Sequence, residues 1–193
     1  MVRQSSAKAL CPSSNLGGAS KSEQRQLCSF FFLAGGVAVA RLAYQVLVLP
    51  YFISPAASGQ SVLYALFRRR DTSVWQFIAG GGETGDACTL DSAKREAWEE
   101  ARIPFSSKYT QLRTTCSIAA ECFKNAAALW GERCFVIPEY AFAVMVQKQD
   151  LAISDEHTEY MWADYETARR MLRYDSNRVA LYELNSRLRM GLV

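Results

Sequence analysis

The 193-residue sequence predicts an α/β fold, a mixed sheet with helices against its faces. Three observations carry this. The segments run as strands, a central helix, more strands and a terminal helix pair, an order that layers helices on a sheet. The strand candidates are β-branched and aromatic, the first of them apolar almost without interruption, as expected for burial on both faces. Regular strand–helix alternation is missing, and no Gly-x-x-x-x-Gly-Lys loop occurs, so a doubly wound nucleotide fold is excluded.

Composition narrows the classes further. Half the residues are hydrophobic and the net charge is +3, too weak for a nucleic-acid-binding surface. The arginines of the C-terminal third, Arg169 to Arg189, are spaced as a solvated helix face. Six cysteines without a Cys-x-x-Cys pair, and a single histidine, give no zinc cluster; the cysteines read as free thiols.

Residues 1–40 read as an N-terminal extension. The segment is basic, rich in serine and nearly free of acid, then apolar from Leu27 to Ala40. That pattern fits a mitochondrial or plastid presequence, a secretory leader ending in Ala38-Val39-Ala40, or an extension without an address. The expected location is cytoplasmic or organellar, with a secretory signal left open. The apolar run is too short and glycine-broken for a membrane span.

The domain proper is expected over residues 41–193. Strands are predicted at 45–53, 61–68 and 74–78, the last feeding a glycine turn at Gly80, Gly81 and Gly82. A helix is expected from about 88 to 101, since Leu90, Ala93, Ala97 and Ala101 form one apolar stripe, with Thr89 or Asp91 as its cap. Strand-like stretches follow over 110–120, 134–137, 139–146 and 159–163. Residues 119–130 are ambiguous and 150–158 form a polar loop. Helices are predicted at 164–172 and 176–188, with Asn177 placed to cap the last one.

On the central helix Glu96, Glu99 and Glu100 share one face, with Arg95 beside them. Carboxylates crowded behind a glycine-rich stretch suit a hard divalent cation that shares its coordination with substrate phosphates. A solvated acidic face is the plainer alternative, but the alanine stripe and Trp98 leave little of the helix free.

The run from Gly81 through Arg95-Glu96-Ala97-Trp98-Glu99-Glu100 to Ile103 resembles the Nudix box, Gly-x5-Glu-x7-Arg-Glu-U-x-Glu-Glu-x-Gly-U, where U is bulky and aliphatic. Flanking segments from about residue 41 to 190 resemble the same family, and the last two, Ser154 to Trp162 and Asp175 to Leu181, look most like the branch that includes dATP and dihydroneopterin triphosphate pyrophosphohydrolases. The resemblance implies a Nudix-type α/β/α sandwich and a Mg²⁺-dependent hydrolase, with Mn²⁺ as a substitute. It implies cleavage of a diphosphate linkage in a small nucleotide-like substrate, such as a nucleoside triphosphate. Glu96, Glu99 and Glu100 would hold the metal. Arg95 would anchor a carboxylate, and the Gly80, Gly81 and Gly82 backbone would contact substrate or metal. Glu156 is the candidate base, with His157 and Glu159 behind it, so Glu99, Glu156 and Arg95 form the catalytic set. Trp75 and Tyr140 are candidate stacking walls for a heterocycle.

Two positions depart from the box. The early Glu falls on Ala87, with Asp86 as a displaced carboxylate, and the late Gly is Arg102, which predicts a non-glycine residue at positive φ. These departures motivate an alternative, a catalytically weakened Nudix-fold module that binds a nucleotide or a protein.

Overall fold

The structure is a computed structural model, and it describes residues 40–56 and 59–193. The targeting readings of the leader fall outside the described residues. Residues 41–193 form one compact unit.

The sheet has seven strands. They are β1 (Arg41–Ala56), β2 (Gly59–Arg69), β3 (Trp75–Gln76), β4 (Ile78–Glu83), β5 (Lys108–Ala119), β6 (Val136–Met145) and β7 (His157–Ala163). The described helices are α1 (Thr89–Ala101), the short α2 (Ala126–Trp130), α3 (Tyr165–Met171) and α4 (Asp175–Arg189). Strand β1 organises the sheet. One of its edges runs parallel to β6 from Gln45–Glu139 to Tyr51–Met145. Along the other edge it pairs antiparallel first with β4 and then with β2. Pro50 sits between the last β4 pair at Val48 and the first β2 pair at Tyr51, where that ladder changes partner. A proline is tolerated in the middle of the sheet because no donor is needed at that point.

The alternation of β1 sends Val46 and Val48 to one face and Leu47 and Leu49 to the other, and all four are buried. Val46 and Val48 pack with Ala93, Ala97 and Ala101 of α1. Leu47 and Leu49 pack with Ala168 of α3 and with Ala180, Leu181 and Leu184 of α4. This is a three-layer sandwich with the sheet in the middle, as the apolar runs predicted.

Several local expectations change. Gly80, Gly81 and Gly82 lie within strand β4 rather than in a turn. The two strands expected around Pro138 are one strand, β6, because the parallel ladder to β1 begins only at Glu139. Residues 119–130 resolve into a 3-10 turn at Ala120–Cys122 and the short helix α2. Neither Thr89 nor Asp91 caps α1; Cys88 holds the cap position without a side-chain hydrogen bond. Asn177 lies inside α4, whose cap position is Tyr174. Asn177 instead accepts the Phe77 N–H through Oδ1 at 2.9 Å, fastening the β3–β4 junction to α4. Among the described residues no helix is long and apolar enough to cross a membrane.

Because the described core is closed by residues 41–193, we expect them to fold without the leader. A chain lacking residues 1–40 should remain soluble with a single cooperative melt near that of the full chain. Insolubility or loss of the cooperative transition would contradict this.

Candidate active site

The buried alanines of α1 face the sheet; Glu100 is buried on the same side and Glu96 flanks it against β4, while Arg95 and the exposed Glu99 lie further round the helix. The glycines of β4 let this helix sit close. A Cβ on Gly80 would lie 1.9 Å from the Glu96 carboxyl carbon, and one on Gly81 would lie 2.5 Å from Arg41 Nε. A Cβ on Gly82 would meet the Tyr44 ring, which faces α1 through a 2.8 Å hydrogen bond to Ser92. The glycines thus alternate across the strand, two admitting the α1 side and one admitting Arg41 on the other side.

Arg95 ties the region together. Its Nη2 donates to the Gly81 carbonyl at 2.6 Å and to Asp86 at 3.1 Å, and its Nε reaches Asp86 at 3.3 Å. Its Nη1 donates to Glu96 at 2.9 Å and Glu99 at 3.0 Å. Asp86 also accepts from the Ser92 hydroxyl at 2.7 Å and the Glu83 N–H at 2.9 Å. Burial pushes the Asp86 carboxyl up, but the bonds from Arg95 and Ser92 outweigh it and hold it below its ordinary range. Asp86, one residue before Ala87, is thus the loop carboxylate that pairs with Arg95. At the far end of α1, Arg102 takes φ 53° and ψ 31°, the left-handed conformation a glycine would favour. Its guanidinium lies 5.4 Å from the centre of the Trp98 ring.

Glu96 and Glu100 line a cavity of about 560 Å³, together with the Gly80 and Gly81 backbone. Burial pushes the Glu96 carboxyl up to about 7, against the attraction of Arg95 and with added repulsion from Glu100. Burial also raises the Glu100 carboxyl, whose Oε2 lies 2.6 Å from His157 Nε2. Glu99 is half-exposed and bonded to Arg95. Among the described residues no three His, Cys, Asp or Glu side chains converge on one point. The donor set nonetheless fits a hard divalent ion: carboxylate oxygens beside strand backbone, with Glu96 seated in the space that the missing Gly80 Cβ leaves.

The other candidates separate. Glu156 lines the cavity, and its carboxylate lies 2.6 Å from Arg69, which also pairs with Asp71. His157 is buried as the partner of Glu100, so it braces a carboxylate rather than facing the cavity. Glu159 is exposed and paired with Arg68 at 2.8 Å. Trp75 and Tyr140 do not line the cavity. Trp75 packs against the core under α3 and α4, and Tyr140 against the core under α1, with its ring 6.2 Å from that of Tyr44. The neighbours Gln76 and Glu139 line the cavity in their place, and its aromatic walls are Phe123 and Tyr174. Sequence reasoning missed Arg41, Gln45 and Glu139. The one signal for Glu139 was an acid inside an otherwise apolar strand.

No family model matches the chain. A Nudix hydrolase of known structure from Listeria monocytogenes is 35% identical with a TM-score of 0.67, the match covering 78% of this chain and 97% of that one. The chain belongs to the Nudix hydrolase family. It is also 29% identical over 137 residues to the dihydroneopterin triphosphate diphosphatase of Haemophilus influenzae, across 64% of this chain and 85% of that protein. The dihydroneopterin triphosphate pyrophosphohydrolase of E. coli shares the fold, with a TM-score of 0.59 at 21% identity, over 76% of this chain and 98% of that one.

Two outcomes follow from this geometry. Asp86→Ala removes one of several partners of Arg95, with Glu96, Glu99 and the Gly81 carbonyl remaining, and should cost about 1–2 kcal/mol of stability, read as a lower denaturation midpoint. A midpoint unchanged from wild type would show that Asp86 does not anchor Arg95. The metal-free protein should melt lower as pH rises from 5 to 8. Glu96 binds its proton more tightly folded than unfolded, so its stabilisation is full below about 4.5 and is lost as pH rises through about 7. Glu100 and Glu139, both raised, act in the same direction. Glu96→Gln should flatten the dependence of Tm on pH.

Proposed function

We propose that this Nudix pyrophosphohydrolase acts on the triphosphate of a nucleoside or pterin, with Mg²⁺ or Mn²⁺ held by Glu96, Glu99 and Glu100. The observation that carries this reading is the pairing of Glu96 and Glu100 with glycine backbone at the wall of one cavity, which Arg41 and Arg69 also line. The likeness to dihydroneopterin triphosphate hydrolases supports the substrate class. A divalent ion bound there would offset charge on the phosphate oxygens and favour attack by water.

The chain's own groups have separable tasks. Arg95 orients Glu96 and Glu99 by direct hydrogen bonds and ties α1 to the Gly81 carbonyl. Arg41 and Arg69 bring positive charge to the phosphate oxygens, where it stabilises the developing negative charge. Glu156 is positioned to take a proton from the attacking water. Its own segment is held by two backbone bonds, Arg70 N–H to the Glu156 carbonyl at 2.9 Å and Ser154 N–H to the Glu100 carbonyl at 2.9 Å. The His157–Glu100 contact fastens the same loop to α1, so the base and the metal-holding helix move as one.

Pyrophosphate release from dihydroneopterin triphosphate and a panel of nucleoside triphosphates tests the proposal. Activity should require Mg²⁺ or Mn²⁺ and vanish with chelator. Glu99→Gln and Glu100→Gln should each lower kcat at least about 100-fold, and Glu156→Gln should lower kcat by about 10²–10⁴ with little change in KM. Wild-type rates in the Glu99→Gln and Glu100→Gln variants would overturn the metal assignment.

A further inference from the structure

The cavity reaches past the carboxylates of α1, and its far wall holds a charged group for which hydrolysis has no use. Glu139, in β6, is only 4% exposed and lines the cavity. Across the adjacent strands β6, β1 and β4, Glu139, Gln45 and Gly81 are register partners. Glu139 therefore stands two strand spacings, about 10 Å, from the Gly81 backbone, on the face where Gly81 admits Arg41; Glu96 lies at the neighbouring Gly80 on the α1 face of the same cavity. Gln45 Nε2 donates to Glu139 Oε2 at 2.9 Å. Asn177 is fixed through Oδ1 by the Phe77 N–H, which orients its amide nitrogen as a donor; that nitrogen makes a long 3.4 Å contact to Ser176. A buried carboxylate carries a desolvation cost that an apolar residue in this strand would not. Its retention at a cavity wall, beside an oriented amide donor, points to a ligand that completes its hydrogen bonding.

We propose that Glu139 and Asn177 read the heterocycle of the substrate, and that this heterocycle carries the 2-amino-4-oxopyrimidine edge shared by guanine and pterin. The ring N–H and the adjacent amino group of that edge donate side by side to the Glu139 carboxylate, and the ring carbonyl accepts from Asn177 Nδ2. Adenine presents a ring-nitrogen lone pair beside its amino group, which faces a carboxylate unfavourably. Phe123, with the Arg41 guanidinium 4.9 Å over its ring, and Tyr174 add aromatic wall to the same cavity. This rests on the cavity being the triphosphate site: a triphosphate whose charged end meets α1 carries its heterocycle toward the other end.

The test compares KM and kcat for pyrophosphate release from GTP, dihydroneopterin triphosphate, ITP and ATP with Mg²⁺. ITP keeps the ring N–H and carbonyl and lacks only the amino group. The wild type should show KM values about 10- to 100-fold lower for GTP and dihydroneopterin triphosphate than for ITP or ATP, the range set by one hydrogen bond to a charged group. Glu139→Gln presents one donor and one acceptor. It should raise KM for the first two by a similar factor, leave kcat within about twofold and favour ATP relative to GTP. A wild type whose KM for ATP equals or falls below that for GTP overturns the proposal. So does a Glu139→Gln variant that changes all four substrates equally, the outcome of a merely structural role. If that variant does not fold, the wild-type GTP-to-ITP ratio decides. If the wild type cleaves none of the four, the hydrolytic reading fails, and calorimetry with guanosine, inosine and adenosine still decides the reader: guanosine should bind most tightly, and equal binding sinks it.

Discussion

A single guanidinium holds the active-site half of this molecule together. Arg95 reaches the β4 backbone at Gly81, the loop carboxylate Asp86 and two carboxylates of its own helix. Each contact alone is an ordinary hydrogen bond or ion pair. Together they fix the position of α1 along β4, because the planar fork cannot satisfy the carbonyl and Asp86 from another register. Most of the geometry of the site follows. With α1 set at that distance, Gly80 must lack a side chain, since Glu96 fills the volume that a Cβ would occupy. Glu100, one turn further along, is carried to His157 and the loop bearing Glu156.

The same closeness concentrates negative charge. Glu100 is buried and Glu96 largely so at the cavity wall, and burial raises both carboxyls. The fold tolerates this because Arg95 and His157 each supply one compensating bond, yet neither neutralises the pair. Such an arrangement is costly by itself, and a divalent cation bound there would relieve it. The apolar packing of β1 on both faces supplies stability away from this cluster.

How much of this was legible in the sequence depended on whether the signal was local. The alanine stripe of α1 and the two-sided burial of β1 are periodic patterns, and both appear in the structure as read. The carboxylates of the box share one helix, so spacing alone put them on one face. The glycines were misread as a turn. In β4 their role is to let other side chains approach, and a sequence does not distinguish a glycine that bends the chain from one that makes room. Arg41, Gln45 and Glu139 lay beyond reach for a different reason. They meet through the parallel pairing of β1 with β6, strands separated by about half the chain.

The error over the cavity walls is sharper, because it has one cause in two places. Trp75 and Tyr140 were given to the substrate because aromatic rings stack on heterocycles. In each case the residue beside it, Gln76 or Glu139, is the one that lines the cavity. Adjacent residues of a strand carry their side chains to opposite faces, and in each of these two pairs one side chain lines the cavity while the other packs on a core. The sheet gives its aromatic residues to the cores, where their large apolar area is worth most, and turns its buried polar residues toward the cavity. A buried acid in an apolar strand would be expensive on a closed core face. On a strand with one face open to a cavity, the polar residue therefore marks the cavity side more reliably than the aromatic one. By that criterion Glu139, Gln45 and Gln76 mark the cavity side of their strands.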